Sequence, residues 1–241
     1  MFLCRLSDIP LCLENRYPYT EKIYAPFATD EPAVLSLRVS DEEIAAEETA
    51  GGIPREETAR AGYLEALALY RKFSHALVKE GGFLLHAACF TLAGAGIAYA
   101  APSGTGKSTQ AELMRAAFPD IFRYINGDKP LIRRRDKRFY GYGSPFCGKE
   151  RRGSVGSAPL RALCFIERSD SDRLCRLFAG EAFPLLFQAV LTPQTPAESA
   201  DLIPLLSSFL ESLPVYRFFC TKRPEAALCA YNTFKKDGIL P

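Results

Sequence analysis

The longest uncharged stretch of the chain, residues 81–106, most strongly limits what the protein can fold into. It reads GGFLLHAACFTLAGAGIAYAAPSGTG and contains no Asp, Glu, Lys or Arg. The stretch is long enough to cross a bilayer, but its glycines and its histidine argue against a membrane helix. Strands that are covered on both faces read as continuous apolar sequence. We therefore predict two buried strands, 83–92 and 96–101, joined at residues 93–95.

Composition and cysteine pattern exclude several classes of protein. Of the 241 residues, 48% are hydrophobic and 24% charged, which is typical of a globular protein. The 30 Lys and Arg residues barely exceed the 28 Asp and Glu residues, so overall charge gives no attraction to polyanions. The eight cysteines show no C-x-x-C pair and no metal-ligand spacing with histidine. The first residues, MFLCRLSDIP, lack the pattern of a signal peptide. We expect a cytoplasmic protein with no membrane partner.

A glycine-rich loop follows the second predicted strand. The sequence APSGTGKST, residues 101–109, departs from the pattern G-x-x-x-x-G-K-[ST] only in starting with Ala101. A helix from Lys107 to about Phe118 should come next, because Pro119 closes it. In this order of strand, loop and helix, backbone amides converge on phosphate oxygens, lysine reaches the terminal phosphates and serine binds Mg²⁺. The predicted nucleotide-binding residues are Ser103, Gly104, Thr105, Gly106, Lys107, Ser108 and Thr109.

A phosphate loop also needs an acidic group, usually just past a neighbouring strand. The sequence IFRYINGDK, residues 121–129, predicts a strand through Ile125 that is followed by Asp128. The same N-G-D-K sequence is good turn chemistry. The residues alone therefore leave open whether Asp128 is functional or only part of a turn.

Together these motifs resemble the HPr kinase/phosphorylase superfamily, and more closely its shorter HPr-kinase-like relatives. The resemblance covers about residues 83–235 and is carried by His86, GIAYAAPSGTGKST, INGDK and GYGSPFCGKE. It implies an α/β fold, with a P-loop kinase core of the HPr kinase/PEP-carboxykinase type at 81–241. Residues 1–80 lie outside the resemblance. Their short apolar runs and the helical spacing that follows predict a small N-terminal β-rich accessory segment of strands and a helix at 56–79. The implied reaction transfers the γ-phosphate of ATP, bound with Mg²⁺, to a hydroxyl group.

The resemblance also implies roles for individual residues. Asp128 matches the second aspartate of the family's acidic pair, whereas Gly127 stands in place of the first. His86 lies where the family has an active-site histidine, so the implied catalytic residues are Asp128, His86 and Lys107. Ser108 and Asp128 would bind the metal ion.

The sequence KERRG resembles the family's glutamate-x-arginine-glycine loop through Glu150, Arg152 and Gly153. Ser144, Lys149 and Arg152 are the predicted residues for substrate or phosphate.

Positive charge is concentrated in residues 129–152, which hold nine Lys or Arg and two carboxylates. Asp136-Lys137 predicts a hairpin turn with solvated arginines around it. The basic residues of the loop at 149–152 are instead suited to binding phosphate. Aromatic residues at 139–142 keep a nucleic-acid site as an alternative, but we expect no nucleic-acid partner. Acidic residues dominate 41–57, where we expect a solvated linker.

Two functions are compatible with these residues. The first is a kinase that acts on a hydroxyl of a protein, a peptide or a small molecule. The second is an ATP-binding regulatory module that has lost the acidic pair and transfers little or no phosphate. A carboxykinase reaction is a third alternative. The residues also leave open whether the chain forms a homo-oligomer.

Overall fold

The computed structural model describes residues 1–49, 56–192 and 195–241. It divides the chain into two compact units, Met1–Leu77 and Val78–Pro241.

The first unit combines a small sheet with helices. Its strands follow the order β1-β2-β3, with β1 antiparallel and β3 parallel to the central strand β2. The strands are β1 (Phe2–Leu6), β2 (Ile9–Leu13) and β3 (Leu35–Leu37), and the helices are α1 (Pro18–Tyr24), α2 (Asp41–Ala45) and α3 (Glu57–Ala76). The helix predicted at 56–79 corresponds to α3. The unit has more helix than the description as a β-rich segment implied.

Helix α3 organises this unit through a buried carboxylate. Glu65 accepts hydrogen bonds from the backbone N–H groups of Arg16 and Tyr17, at 2.8 and 3.2 Å, and from the Thr20 hydroxyl at 2.6 Å. A buried carboxylate is tolerated when its oxygens are satisfied in this way. Glu65 therefore fixes the start of α1 on α3.

The prediction of a solvated linker at 41–57 is wrong for its first part. Ser40 and Glu43 form a reciprocal capping box that begins α2, and Lys72 of α3 pairs with Glu43 at 2.8 Å. Local side-chain capping explains why an acidic segment becomes helical. Residues 50–55 of that prediction lie outside the described residues.

The second unit contains a nine-stranded mixed sheet. Seven strands follow the order β4-β8-β9-β10-β6-β5-β7, and β12 pairs with both β10 and β11. These strands are β4 (Gly82–Leu84), β5 (Ala87–Leu92), β6 (Ala95–Ala100), β7 (Phe122–Asn126), β8 (Leu131–Arg135), β9 (Arg138–Tyr142), β10 (Ser157–Arg168), β11 (Arg173–Arg176) and β12 (Val215–Cys220). The C-terminal half of β10 is parallel to β6 and β12, so the carboxyl ends of these three strands share one edge.

Helices cover both faces of this sheet. They are α4 (Lys107–Ala117), α5 (Ala179–Ala189), α6 (Pro196–Ser212) and α7 (Glu225–Lys236). Ala98 and Ala100 of β6 belong to a core with residues of α5 and α6, whereas Ile97 and Tyr99 belong to a second core with residues of α4 and α7. This alternation explains the continuous apolar sequence, and it confirms the predicted α/β class.

The predicted strand 83–92 is interrupted. β4 ends at Leu84 and β5 begins at Ala87, because β4 pairs with β8 whereas β5 pairs with β6 and β7. His86 lies in the break, where its backbone N–H donates to the Ala189 carbonyl at 2.7 Å. His86 is therefore not inside a strand as expected. Within the described ranges, none of the helices is long and apolar enough to cross a membrane.

Candidate functional site

The loop of residues 101–106 connects the end of β6 to the start of α4. Gly104 and Gly106 have φ values of 76° and 131°. Residues other than glycine rarely adopt such positive values. Ala101 is buried and does not adopt a positive φ, so its methyl group fits the end of the strand. Strand, loop and helix therefore occur in the order predicted from the sequence.

Lys107 is the first residue of α4, and its side chain folds back into the loop. Its ammonium group donates to the Ala101 carbonyl at 2.8 Å and to the Pro102 carbonyl at 3.4 Å. Burial lowers the pKa of Lys107, although the negative charge of Asp128 opposes this shift. A desolvated cation held by two neutral carbonyls can still interact strongly with an anion.

Arg168, at the end of β10, holds the loop from the neighbouring strand. Its Nε donates to the Thr105 carbonyl at 2.9 Å, and its Nη2 donates to the Gly104 carbonyl. Sequence reasoning missed this contact because 63 residues separate Arg168 from Thr105. The parallel pairing of β10 with β6 brings the two together.

Asp128 follows β7 and faces His86, with 3.3 Å between the carboxylate oxygen and Nε2 of the imidazole. Burial raises the pKa of Asp128, but the hydrogen bond with His86 and the charges of His86, Lys129 and Lys107 outweigh it, so the pKa lies below its usual value. Asp128 is therefore a carboxylate near neutral pH. The structure brings the predicted residues Asp128 and His86 together.

Asn126 holds the turn that carries Asp128. Its buried side-chain carbonyl accepts from the backbone N–H groups of Asp128 and Lys129, at 2.9 and 2.7 Å. Its amide group donates to the Ser144 hydroxyl at 2.8 Å and to the Phe146 carbonyl at 3.3 Å. An Asn side chain that bonds to backbone two residues ahead is a common turn device. The sequence N-G-D-K, residues 126–129, is typical of such a turn.

Ser144, a predicted substrate or phosphate residue, lies beneath this turn. It is buried, accepts from Asn126 and donates its hydroxyl hydrogen to the Lys129 carbonyl at 2.8 Å. It does not line the neighbouring cavity. Its hydroxyl is needed because the buried Asn126 amide requires an acceptor.

Gly127 is enclosed by the loop of residues 147–153. Its N–H donates to the Arg152 carbonyl at 2.7 Å. A Cβ atom at this position would lie 3.0 Å from the Cys147 carbonyl oxygen and 3.1 Å from the Arg152 carbonyl oxygen. A side chain at this position would therefore be in tight contact with two backbone carbonyls, which would have to shift by a few tenths of an ångström.

Arg152 makes several contacts on this loop. Its guanidinium pairs with Glu112 of α4 and with Glu150 at 2.9 Å, and it donates to the Tyr124 hydroxyl at 3.2 Å. It also stacks 5.6 Å from the centre of the Tyr124 ring. To bind a phosphate as predicted, Arg152 would have to release the carboxylates of Glu112 and Glu150. Sequence reasoning did not identify Glu112 or Tyr124.

Most of the predicted residues line one cavity of about 340 Å³. Besides His86 and Asp128, the loop and the start of α4 contribute Ser103, Gly104, Gly106, Lys107, Ser108 and Thr109, and the loop after β9 contributes Lys149 and Arg152. Thr105 instead lines a second cavity. The first cavity therefore combines backbone amides, a buried ammonium, a serine hydroxyl and an ionised carboxylate.

The Ser108 hydroxyl and the Asp128 carboxylate are suited to a hard cation. Mg²⁺ is usually held by one or two carboxylates together with water and substrate phosphates. Both residues line the cavity that Lys107 also lines. The residues present thus fit a Mg²⁺ ion that arrives with a phosphate ligand.

Comparison with known proteins gives little beyond this geometry. No protein-family model matches the sequence, and no curated protein is similar to it at a significant level. Among solved structures, the chain is similar to the HPr(Ser) kinase/phosphatase from Coxiella burnetii, with a TM-score of 0.39 and 8% sequence identity. The match covers 64% of this chain and 98% of that chain. It is a distant likeness.

Proposed function

We propose that the unit Val78–Pro241 is an HPr-kinase-like phosphotransferase that moves the γ-phosphate of ATP to a hydroxyl group. The observation that carries this proposal is the meeting of Lys107, Ser108, Asp128 and His86 at one cavity beside a glycine-rich loop. Each side chain matches a need of phosphoryl transfer, which depends mainly on positioning and charge stabilisation.

The loop and α4 would hold the triphosphate. Backbone amides from about Ser103 to Ser108 face phosphate oxygens at the positive end of the helix. Lys107 would contact the terminal phosphates from inside the loop, while Ser108 and Asp128 would hold Mg²⁺. When bound, Mg²⁺ neutralises charge on the phosphate oxygens.

Asp128 and His86 would orient the acceptor hydroxyl. During transfer the acceptor oxygen forms a bond to the γ-phosphorus, the bond from that phosphorus to the bridging oxygen of ADP breaks, and the acceptor loses its proton. Asp128 is a carboxylate near neutral pH, so it can accept this proton as the new bond to phosphorus forms. His86, 3.3 Å from Asp128, would position this carboxylate through their hydrogen bond.

A regulatory module that binds ATP without rapid transfer is the second candidate. The packing around Gly127 favours it, because the turn then supplies one carboxylate where the resembled family has two. Arg152 is also engaged by Glu112 and Glu150. In this case ATP would change the conformation of the loop at 147–153.

The substitution Asp128→Asn separates the two functions. Purified protein is incubated with Mg²⁺, γ-labelled ATP and a lysate of its source cells, and labelled products are measured. We expect the variant to bind ATP within a few-fold of the wild-type Kd but to lose more than about 100-fold in transfer, since the catalytic carboxylate is gone.

The matched control is Asp120→Asn, which removes an exposed carboxylate outside the cavity and should leave both quantities unchanged. Equal transfer by Asp128→Asn would refute the role of Asp128. Tight ATP binding without any transfer by the wild type would establish the regulatory module instead.

A further inference from the structure

A second cavity of about 770 Å³ lies at the carboxyl ends of β6 and β10. Its apolar wall comes from Ala100, Phe165 and Leu185. Its polar lining residues include Glu167, Arg168, Gln188 and Arg217. Cavities of roughly 300–1,000 Å³ are the usual size for small-molecule sites. The space therefore suits a small molecule with an apolar portion.

The two cavities share part of one wall. His86, Ser103 and Gly104 line both of them. A group bound in the second cavity next to His86 would therefore lie close to phosphates held by the loop. Such proximity is what transfer between two bound molecules requires.

Two arginines against the one carboxylate of Glu167 favour an anionic ligand in the second cavity. The charged groups of Arg217 and Glu167 lie 3.4 Å apart, and both side chains are more than a third exposed. Such a solvent-exposed ion pair contributes little to stability. The Arg217 guanidinium can therefore bind a ligand carboxylate through two parallel hydrogen bonds. Arg168 adds a second positive charge at the same cavity.

We propose that this second cavity binds the phosphate acceptor, and that the acceptor is a small hydroxy acid. Its hydroxyl lies at His86, its apolar portion contacts Phe165 and Leu185, and its carboxylate binds Arg217. The inference rests on the proposed kinase function and adds to it the class of substrate.

The direction of the bound ATP argues against the nucleoside as occupant. The γ-phosphate must lie next to Asp128 and His86 for transfer, and the nucleoside must lie at the opposite end of the triphosphate. Because His86 forms part of the second cavity, a nucleoside placed there would reverse this order. The apolar cavity beside His86 is thus left to the acceptor.

Filling the cavity tests this assignment. Gln188 is exposed on α5 and lines the cavity, so Gln188→Trp should occupy it without disturbing the core. Phe187→Trp is the control, since Phe187 lies on the same helix but does not line the cavity. Each protein is incubated with γ-labelled ATP and either the filtrate or the retentate of a source-cell lysate passed through a membrane of about 3 kDa cut-off.

We expect the wild type to label a compound in the filtrate. Gln188→Trp should reduce this labelling at least about 10-fold with an unchanged Kd for ATP, and Phe187→Trp should match the wild type. Arg217→Gln should raise the amount of filtrate needed for half-maximal rate about 10-fold, and Arg161→Gln, on β10 of the same sheet but outside the cavity, should not.

Three results would overturn the inference. Label in retentate proteins alone, or equal labelling by Gln188→Trp, would remove the small acceptor from the cavity and leave the kinase proposal intact. A weaker Kd for ATP in Gln188→Trp would assign the cavity to the nucleoside. No label in either fraction with the wild type would refute the kinase proposal itself, before any variant is compared.

Discussion

At the scale of single residues, the backbone around Gly127 limits the candidate site to one carboxylate from this turn. The carbonyl oxygens of Cys147 and Arg152 lie 3.0 and 3.1 Å from where a Cβ atom would be. A glycine here therefore lets the loop at 147–153 pack closely against the turn. The glycine at 127 and the close packing of this loop therefore go together.

Adding a side chain at this position should destabilise the fold. We expect Gly127→Asp to lower the free energy of unfolding by about 1–3 kcal/mol, because the Cβ atom forces two backbone carbonyls apart. It should not increase phosphate transfer. Urea unfolding and the labelled-ATP assay measure the two effects.

Gly180→Ala is the matched control, since no atom lies within 4 Å of the added Cβ and alanine favours helix. Increased transfer by Gly127→Asp at unchanged stability would show that the loop opens readily, contrary to this expectation.

Asn126 affects the same turn through hydrogen bonds, whereas Gly127 affects it through packing. We expect Asn126→Ala to cost about 2 kcal/mol or more of unfolding free energy, since two backbone N–H groups lose their acceptor. Transfer should fall as well, because Asp128 loses its position.

Unfolding free energies and transfer rates of Asn126→Ala are compared with those of Asn232→Ala, an exposed asparagine on α7 that should change neither. A stable Asn126→Ala variant with normal transfer would show that the turn holds itself without this side chain.

At the scale of elements, α4 is joined to the loop at 147–153 through Glu112 and Arg152. Burial raises the pKa of Glu112, but hydrogen bonds from Arg115 and Tyr124 and the charges of Arg152 and Arg115 outweigh it and lower the pKa. A carboxylate whose pKa is lowered by folding stabilises the protein above its unfolded pKa. This contribution is lost as the pH falls through the lowered, folded value.

The stability difference between the wild type and Glu112→Gln should therefore depend on pH. We expect the wild type to be more stable near pH 7, and the advantage to disappear as the pH falls below about 4.5, the ordinary value of the group. Denaturant unfolding between pH 7 and pH 3 measures it. Glu225→Gln, on exposed α7 surface, provides the baseline, and a difference that does not change with pH would contradict the assignment.

Elements whose ends carry local signals could be predicted from the sequence. Glycines and Lys107 marked the loop between β6 and α4, and Asp136-Lys137 marked the hairpin of β8 and β9. The break between β4 and β5 could not be predicted, because both strands are apolar and only their different partners separate them. Ser40 and Glu43 of the α2 capping box have the spacing that predicts a helix start. The excess of acidic residues led instead to the prediction of a solvated linker.

Contacts between residues that are distant in sequence could not be predicted from the sequence. Arg168 reaches the loop and Glu112 reaches Arg152 only because strands and helices distant in sequence pack together. Ser144 was predicted at the substrate from its motif, yet the buried Asn126 amide engages its hydroxyl. One sequence shows residue types and spacings, whereas burial decides which polar groups remain available.

At the scale of the whole molecule, the residues that line the candidate site all belong to the second unit. We expect a fragment of residues 78–241 to fold and to bind ATP within about 10-fold of the full-length Kd, and saturating ATP at 100 times Kd to stabilise it by about 2.7 kcal/mol.

Thermal unfolding of the fragment with and without ATP tests this expectation, and Lys107→Ala in the fragment is the control that should remove the ATP effect. A folded fragment that does not bind ATP would show that residues 1–77 contribute to the site.

Arg168 connects the two cavities, because it holds the carbonyls of Gly104 and Thr105 and also lines the second cavity. A ligand that competes for this guanidinium alters the loop that would hold the phosphates. Linkage requires that the effect be reciprocal, so ATP must change the affinity for that ligand by the same factor as the ligand changes the affinity for ATP. The proposed donor and acceptor sites are therefore expected to bind their ligands cooperatively through Arg168.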